Sequence, residues 1–358
     1  MKTAIRISAL ALAFLFLAAV TAGLIGLYVY GPPEQWFATA APTTLVSPTP
    51  TQPSTTTAPT TEPPTEPPTT TEPPTEPPTE PPTTQPPTQP PTTAPKPYQL
   101  ESKVSFVYDL TNDTLLQQRG DWDKKVYPAS LTKLFNAYIC LQYLQPDQII
   151  TIGDELNLLE SDVSDSGLKA GYRISVAHLL RAMLIPSGCD AACVLAVNAG
   201  RALAEDPKLG SQAAYSLYME KFNQELQALG LTGTHFTNAW GYHHQEHYTT
   251  PRDLLSIARL CLATPEIIAC TSSHTVTVTI ASGETLTWKS TNSVINPNSR
   301  YYRQNALGMK TGTTYAAGTC LLTAYQVGDK TIVICTMGGL TNNGRFEDTN
   351  FLYNKYCT

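Results

Sequence analysis

The stretch VYPASLTKLFNAY, Val126–Tyr138, sets a serine and a lysine three residues apart just after a proline. Leu131, Leu134, Phe135, Tyr138, Leu141 and Leu144 recur at three-and-four spacing between Pro128 and Pro146, which predicts an amphipathic helix. Ser130 and Lys133 then share one face of its first turn. Two readings compete. One is an N-cap serine followed by a solvated lysine. The other is an activated nucleophile, because a serine hydroxyl is weak at neutral pH and a neutral amine one turn away can take its proton.

Outward from this stretch the chain changes character. Of its 30 prolines, 23 precede Tyr98, so the globular part is nearer 260 of the 358 residues. Lys2 and Arg6 form a basic flank over residues 1–6, followed by a nearly uncharged run of 24 residues, Ile7–Tyr30. At ~1.5 Å per residue that run is long enough to cross a bilayer, and the flank orients it with the N-terminus inside. The expectation is an uncleaved signal anchor. Cleavage after Ala22 or Ala40 is the alternative, and on either reading the rest of the chain is exported.

Residues 31–98 carry TEPPTEPP and TTQPPTQPP units, which bury no core and lack many backbone donors. An extended polyproline-like stalk is expected, with a contour on the order of 170 Å at roughly 3.1 Å per residue. It would hold residues 99–358 away from the membrane, at the depth of a cell wall. A ligand for proline-binding modules is the rival reading. The net charge of −6 is half explained by residues 1–98, which hold six glutamates against three basic residues. No clustered basic face suggests a nucleic-acid partner.

All eight cysteines, Cys140, Cys189, Cys193, Cys261, Cys270, Cys320, Cys335 and Cys357, lie in the globular part. Disulfides are open to an exported chain, yet several sit in apolar runs where buried thiols are equally comfortable, and no bridge is assigned. Paired CxxC spacing is absent, which argues against structural zinc. Within YHHQEHY, His243 and His247 are four apart and invite a metal reading; a loop-ordering role is preferred.

The segment KVSFVYDLTNDTLLQQRG reads as strand, Thr-Asn-Asp turn, strand, leading into the helix that bears Ser130. SVAHLLRAMLI with Ser175 as cap, DAACVLAVNAGRALA, and SLYMEKFNQELQALG ending at Gly230 predict a helical middle. HTVTVTIASGETLTWKST alternates around a Ser-Gly turn, and GTCLLTAYQV, a Gly328-Asp329 turn and KTIVICTMGG close the chain as strands. Strands at both ends with helices between give an α/β (α+β) class. One antiparallel sheet is built from both termini and flanked by helices, with a second, mostly helical subdomain.

Two short motifs remain. In IPSGCDAAC, Ser187 follows a helix-ending proline and opens the next helix; in LGMKTGTT, Lys310-Thr311-Gly312 begins a strand. Ser-x-x-Lys, a second serine 57 residues on and a C-terminal Lys-Thr-Gly together resemble the penicillin-recognising serine enzymes. The chain is most similar to the low-molecular-weight D-alanyl-D-alanine carboxypeptidases. YPASLTKL, AHLLRAMLIPSGCDAACVLA, FTNAWGYHHQEHYTTPRDLLSIAR and LGMKTGTT match that family's segments in order and spacing, from about Lys103 to Met337.

This resemblance implies a role for each residue. Ser130 attacks the carbonyl between the two terminal D-alanines of a peptidoglycan stem peptide and forms an acyl-enzyme, and Lys133 removes its proton. The backbone N–H groups of Ser130 and Thr313 form the oxyanion hole. Lys310, Thr311, Gly312 and Thr313 hold the terminal carboxylate, Ser187 relays a proton to the leaving amine, and β-lactams are inhibitors. No cofactor or metal is implied. Localisation follows as a single-pass membrane protein with its catalytic domain outside, at the wall.

Two departures qualify the match. The family's second motif is Ser-x-Asn, whereas here Cys189 holds the third position. A thiol donates and accepts hydrogen bonds poorly, which puts rate and the balance of hydrolysis against transpeptidation in question. Many members also continue into a β-rich domain and an amphipathic helix, where this chain stops at Thr358. A Glu-x-x-Leu-Asn segment of the class A β-lactamase kind is missing after the second motif. A catalytically impaired wall or β-lactam binding module is the competing function, supported by Cys189 alone.

Overall fold

The computed structural model describes residues 98–358; the basic flank, the apolar run and the proline-rich segment lie outside the described residues. Five antiparallel strands form the main sheet in the order β2-β1-β9-β8-β7: β1 Val104–Asp109, β2 Thr114–Arg119, β7 Ala306–Thr314, β8 Gly318–Val327 and β9 Lys330–Gly339. The first and last strands of the domain thus pair directly, with Phe106 opposite Cys335 and Val107 opposite Ile334. Both faces are covered, as the period-two pattern of β9 requires. Val333, Cys335 and Met337 face the large core, while Ile332 and Ile334 meet Val107, Tyr325 and Leu352 on the other side.

Leu352 belongs to a helix that the sequence reading did not contain. In chain order the helices are α1 Thr132–Cys140, α2 Val176–Leu184, α3 Cys189–Leu203, α4 Ser211–Ala228, α5 Pro251–Leu262, α6 Pro265–Thr271 and α7 Gly344–Tyr356. The polar composition of α7 hides it, since only Phe346 and Leu352 among its large apolar residues are buried. The middle of the chain is helical as expected, with Ser175 capping α2 by accepting from His178 N–H at 3.2 Å. The short strands β3 Ile149–Thr151 and β4 Arg173–Ser175 pair with each other, and β5 Thr275–Thr279 pairs with β6 Thr285–Lys289.

Helix α1 is the axis of the structure. Eight of its nine residues are buried, and it packs against α2, α3, α5 and α6. Phe135 packs between Phe222 and Phe236 in tilted arrangement, with ring centroids 4.9 and 6.3 Å away, and burying a side chain of this kind contributes about 1.5–3 kcal/mol. Phe135→Ala would cost about 3–5 kcal/mol and loosen the element that carries the site.

At the start of the described chain Tyr98 stacks on Phe351 at 4.8 Å, and its hydroxyl donates to Asp348 Oδ1 at 2.6 Å. Asp348 also accepts from the backbone N–H groups of Glu101 and Ser102, so one buried carboxylate clasps the entry segment to α7. All eight cysteines are free and buried. Among the described residues no single helix is long and apolar enough to cross a membrane.

Candidate active site

Ser130 lies in a 3-10 turn, Ala129–Leu131, immediately before α1, and Lys133 is the second residue of that helix. The first turn is therefore tighter than the sequence pattern implied, yet it still stacks Lys133 beneath the serine. Lys133 Nζ is 3.0 Å from Ser130 Oγ, 3.2 Å from Cys189 Sγ and 2.7 Å from the carbonyl of Trp240. The lysine is fully buried and forms no ion pair among the described residues. The solvated-lysine reading is thereby excluded. Burial lowers its pKa, a trend partly offset by Cys189 and Asp190. Three contacts suit a neutral amine: two N–H bonds go to Trp240 O and Cys189 Sγ, and the lone pair faces the Ser130 hydroxyl.

Strand β7 forms the opposite wall. Lys310-Thr311-Gly312 occupies its second half rather than beginning it, because the strand starts at Ala306 and carries a bulge between Ala306 and Gly308. The bulge re-aims the strand just before the lysine. Lys310 is 1% exposed, and Nζ donates to Thr311 O at 3.1 Å. Burial first, then the charge of Lys133, pushes its pKa well down. Thr311 Oγ1 meets Thr291 Oγ1 at 2.6 Å, and Thr313 Oγ1 accepts from Arg345 Nη1 at 2.7 Å.

Two glycines let the walls close. A Cβ on Gly312 would stand 2.8 Å from Pro128 O and 3.2 Å from Ser130 N, and one on Gly241 would stand 2.0 Å from Ala129 O. Non-glycine residues at positive φ also gather here: Ala129 (49°) precedes the serine, Met309 (83°) precedes Lys310, and Ser187 (71°) is itself one. Such backbone costs of order 1–3 kcal/mol each and persists where the surroundings impose it.

Ser187 lies two residues before α3, whose first residue is Cys189 and whose N-cap is Gly188, so it does not open the helix as the sequence suggested. It is 7% exposed, and its carbonyl accepts from Ser164 Oγ at 2.6 Å. Cys189 Sγ is wedged between Lys133 Nζ and Ser164 Oγ, 3.2 Å from each. A cavity of about 330 Å3 is lined by Ser130, Cys189 and Thr313 together with Asp162, Trp240 and Tyr242. Ser187 is not among its lining residues.

Four positions escaped the sequence reading. Asn238 Oδ1 accepts from the N–H groups of Trp240, Gly241 and Tyr242, fixing the carbonyl that Lys133 uses. Asp190 holds Ser166 and Leu168 by their N–H groups and so pins the loop carrying Ser164. Arg345, in the first turn of α7, donates to Gly312 O at 2.9 Å, and its Nε is buried without a partner. The fourth is Thr132, through its contact with His247. The Thr132 hydroxyl donates to Ala129 O at 2.9 Å, so His247 Nε2–H must donate to Thr132 Oγ1 at 2.8 Å, while Nδ1 accepts from Thr237 N–H at 3.1 Å. This assigns the tautomer by the bonds it makes. Burial and the neighbouring histidines hold its pKa down to about 3. Both ring nitrogens order the loop, and among the described residues no grouping of His, Cys, Asp or Glu is placed to hold a metal.

The family model for D-alanyl-D-alanine carboxypeptidase matches residues 90–341, more than half of the chain. The chain belongs to that family. As a D-alanyl-D-alanine carboxypeptidase it is 29% identical over 255 residues to a relative of that name from a Streptomyces species, covering 68% of this chain and 82% of that protein. It is 28% identical over 266 residues to the Escherichia coli carboxypeptidase DacC, covering 71% of this chain and 60% of DacC's length. The crystal structure of a Streptomyces DD-transpeptidase superposes with a TM-score of 0.64 at 25% identity, covering 72% of this chain and 97% of that one. Variants of that transpeptidase with a cysteine changed to asparagine or alanine match at 0.63 and 0.64. A Listeria monocytogenes penicillin-binding protein in its ampicillin-bound form matches at 0.57, with 26% identity and coverage of 71% and 97%.

Proposed function

We propose that this carboxypeptidase uses Ser130 as its nucleophile on the D-Ala-D-Ala end of peptidoglycan stem peptides. The observation that carries this is the 3.0 Å contact between Ser130 Oγ and a fully buried amine that has no carboxylate partner. Ser130 Oγ attacks the penultimate carbonyl as its proton passes to Lys133 Nζ. The N–H groups of Ser130 and Thr313 receive the oxyanion, a contribution of roughly 10²–10³ in rate for one donor. The C–N bond then breaks, the terminal D-alanine amine takes up a proton relayed from Lys133 through Ser187, and the acyl group stays on Ser130 as an ester. Water, or another amine, releases it.

Lys310 and Thr311 are the receivers of the terminal carboxylate, joined by Thr313 and by Arg345, whose buried Nε awaits an acceptor. The buried Lys310 and the partly buried Arg345 have no acid among their hydrogen-bond partners, and they favour an anionic end. The ampicillin-bound relative supports β-lactams as acylating inhibitors of the same serine. Residues 7–30 are the proposed membrane tether, with residues 31–98 as the stalk and the catalytic domain outside the cell.

A D-Ala-D-Ala pentapeptide incubated with the protein should release D-alanine, and an added amine should divert part of the product to a new amide. Benzylpenicillin should leave its adduct on the peptide that contains Ser130. Folded protein that binds penicillin reversibly, with neither adduct nor D-alanine, would establish the binding-module reading instead. Protease treatment of protoplasts should release a penicillin-reactive fragment; a soluble protein beginning near Gly23 or Ala41 would show cleavage.

A further inference from the structure

The sulfur of Cys189 and the amine of Lys133 touch, with Sγ 3.2 Å from Nζ. Among the described residues the other cysteine sulfurs hydrogen-bond only to carbonyl oxygens or to the Tyr218 hydroxyl, so Cys189 is the one thiol that meets an amine. Of the eight free cysteines it is also the one that lines the active-site cavity. That cavity of about 330 Å3 has room for a small hydroperoxide against the sulfur, since one water takes ~30 Å3.

Both partners are fixed by the fold. Ser164 Oγ stands 3.2 Å from the sulfur on its other side, and Ser164 O accepts from Cys189 N–H at 2.8 Å. Lys133 is fully buried and donates to Trp240 O at 2.7 Å. Burial also lowers its pKa, which brings the neutral, nucleophilic amine within reach.

We propose that Cys189 and Lys133 form a reversible oxidative cross-link, a sulfur–nitrogen bond made at the expense of a hydroperoxide, which switches the active site off. The bond itself rests on the contact; its effect on activity rests on the reading of Lys133 as the base. In the first step Sγ attacks one oxygen of hydrogen peroxide while its proton passes to Nζ. The O–O bond breaks and the departing hydroxide takes that proton from Lys133 and leaves as water, so the sulfur is oxidised to a sulfenic acid and the peroxide is reduced. The neutral amine then turns its lone pair to the sulfur by one rotamer step about Cε–Nζ. An S–N bond forms, the S–O bond breaks, and hydroxide leaves with an amine proton as a second water. One thiol, one amine and one hydrogen peroxide thus give one sulfenamide and two waters.

A sulfenamide nitrogen is a poor base, so Ser130 keeps its proton. An added thiol reverses the step: its thiolate attacks the sulfur, the amine leaves with a proton, and a second thiol frees Cys189 from the mixed disulfide. The link also keeps the sulfur from sulfinic acid, a state that thiols do not reverse. The Ser-x-Asn pattern offers none of this chemistry, which gives the sulfur at position 189 a use of its own. The proposed location outside the cell supplies the setting, away from the thiol reductants of the cytosol.

The test exposes folded full-length protein to graded hydrogen peroxide, alkylates it in denaturant without reductant, and reads the digest by mass spectrometry, with parallel samples labelled by fluorescent penicillin. The expected product joins the peptides bearing Lys133 and Cys189 and is lighter than their sum by two hydrogens. The penicillin-labelled fraction should fall in step with the linked fraction, because loss of a general base costs roughly 10²–10⁴-fold in rate, and dithiothreitol should restore it. Cys189→Ala and Cys189→Asn should each label at the same rate before and after peroxide, every protein being compared only with itself. In Lys133→Arg, dimedone should trap the sulfenic acid on Cys189. Wild-type Cys189 that goes to sulfinic acid or to a disulfide with Cys193 without linking to Lys133, or that stays reduced up to the dose that unfolds the protein, overturns the proposal. An equal loss of labelling in the Cys189 variants overturns the switch. Should untreated wild type take up no penicillin, the reading of the catalytic site fails instead, and the cross-link is still judged from the linked peptide.

Discussion

Lys133 and Lys310 are buried to the same depth in one cleft, one on a helix and one on a strand, and they are prepared for opposite tasks. Lys133 has three polar partners at 2.7–3.2 Å, one of them the serine it would deprotonate. Lys310 has one backbone carbonyl at 3.1 Å and positive neighbours in Lys133 and Arg345. Burial depresses both pKa values, so burial alone does not set the role. The partners of Nζ do. One amine is satisfied by the protein and poised as a base; the other lacks an anion that a ligand can bring. When that anion binds, the pKa of Lys310 should rise and the complex should take up a proton, an effect readable by calorimetry in buffers of different ionisation heat.

The comparison breaks most decisively at the base. Ser130→Ala should abolish the penicillin adduct, and Lys133→Arg, whose guanidinium stays charged, should slow acylation by roughly 10²–10⁴-fold in rapid-mixing experiments. A rate within threefold of wild type would remove Lys133 from that role. In wild type, acylation should rise with pH as Lys133 loses its proton, with a midpoint below the ordinary lysine value of 10.5. A midpoint at or above 10.5 contradicts a base depressed by burial.

The second break is at the anion end. Lys310→Ala and Arg345→Leu should each lower kcat/KM for a D-Ala-D-Ala peptide by about 10- to 100-fold, the range expected for a charged hydrogen bond. With the C-terminal amide of the same peptide, wild type should fall to a similar level and the variants should change little. Equal losses on both peptides would mean that these residues support the fold instead of the carboxylate.

Smaller effects test what holds the two lysines in place. His247→Leu leaves Thr237 N–H and Thr132 without their partner and should cost about 1–3 kcal/mol, or roughly 2–12 °C in Tm for a domain of this size. His247→Asn, whose amide both donates and accepts, should recover part of it. With a folded pKa of about 3 against 6.5 unfolded, neutral His247 stabilises the protein fully above pH 6.5 and progressively less as pH falls toward 3. Urea denaturation at pH 7 and 4.5 should show that loss in wild type and a shallower one in His247→Asn.

The smallest expected change is at Cys189. If its thiol is a weak substitute for an amide, Cys189→Asn should speed acylation by roughly 2- to 10-fold, corresponding to ~0.5–1.5 kcal/mol. An unchanged or slower variant would mean that the corner between Lys133 and Ser164 is fitted to sulfur.

The sheet and the motif residues were legible because their signals are local: period-two runs for β8 and β9, and a serine three residues before a lysine. Ser130, Lys133 and Cys189 do meet, as the motif order implied. What the sequence hid depends on distant partners. Arg345 reaches Gly312 across 33 positions from a helix whose polar exterior masked it. Asn238 and Asp190 act through backbone N–H groups, which no residue pattern records. The bulge that re-aims β7 before Lys310 appears in sequence only as an ordinary Leu-Gly-Met.

The clasp at Asp348 has a mechanical side. Tension on the chain ahead of Tyr98 enters the domain through the Tyr98–Phe351 stack and the Asp348 bonds, and then through β1. That strand is laddered on both edges, to β2 and to β9, so a pull along it must shear two sets of hydrogen bonds together where an edge strand would peel from one.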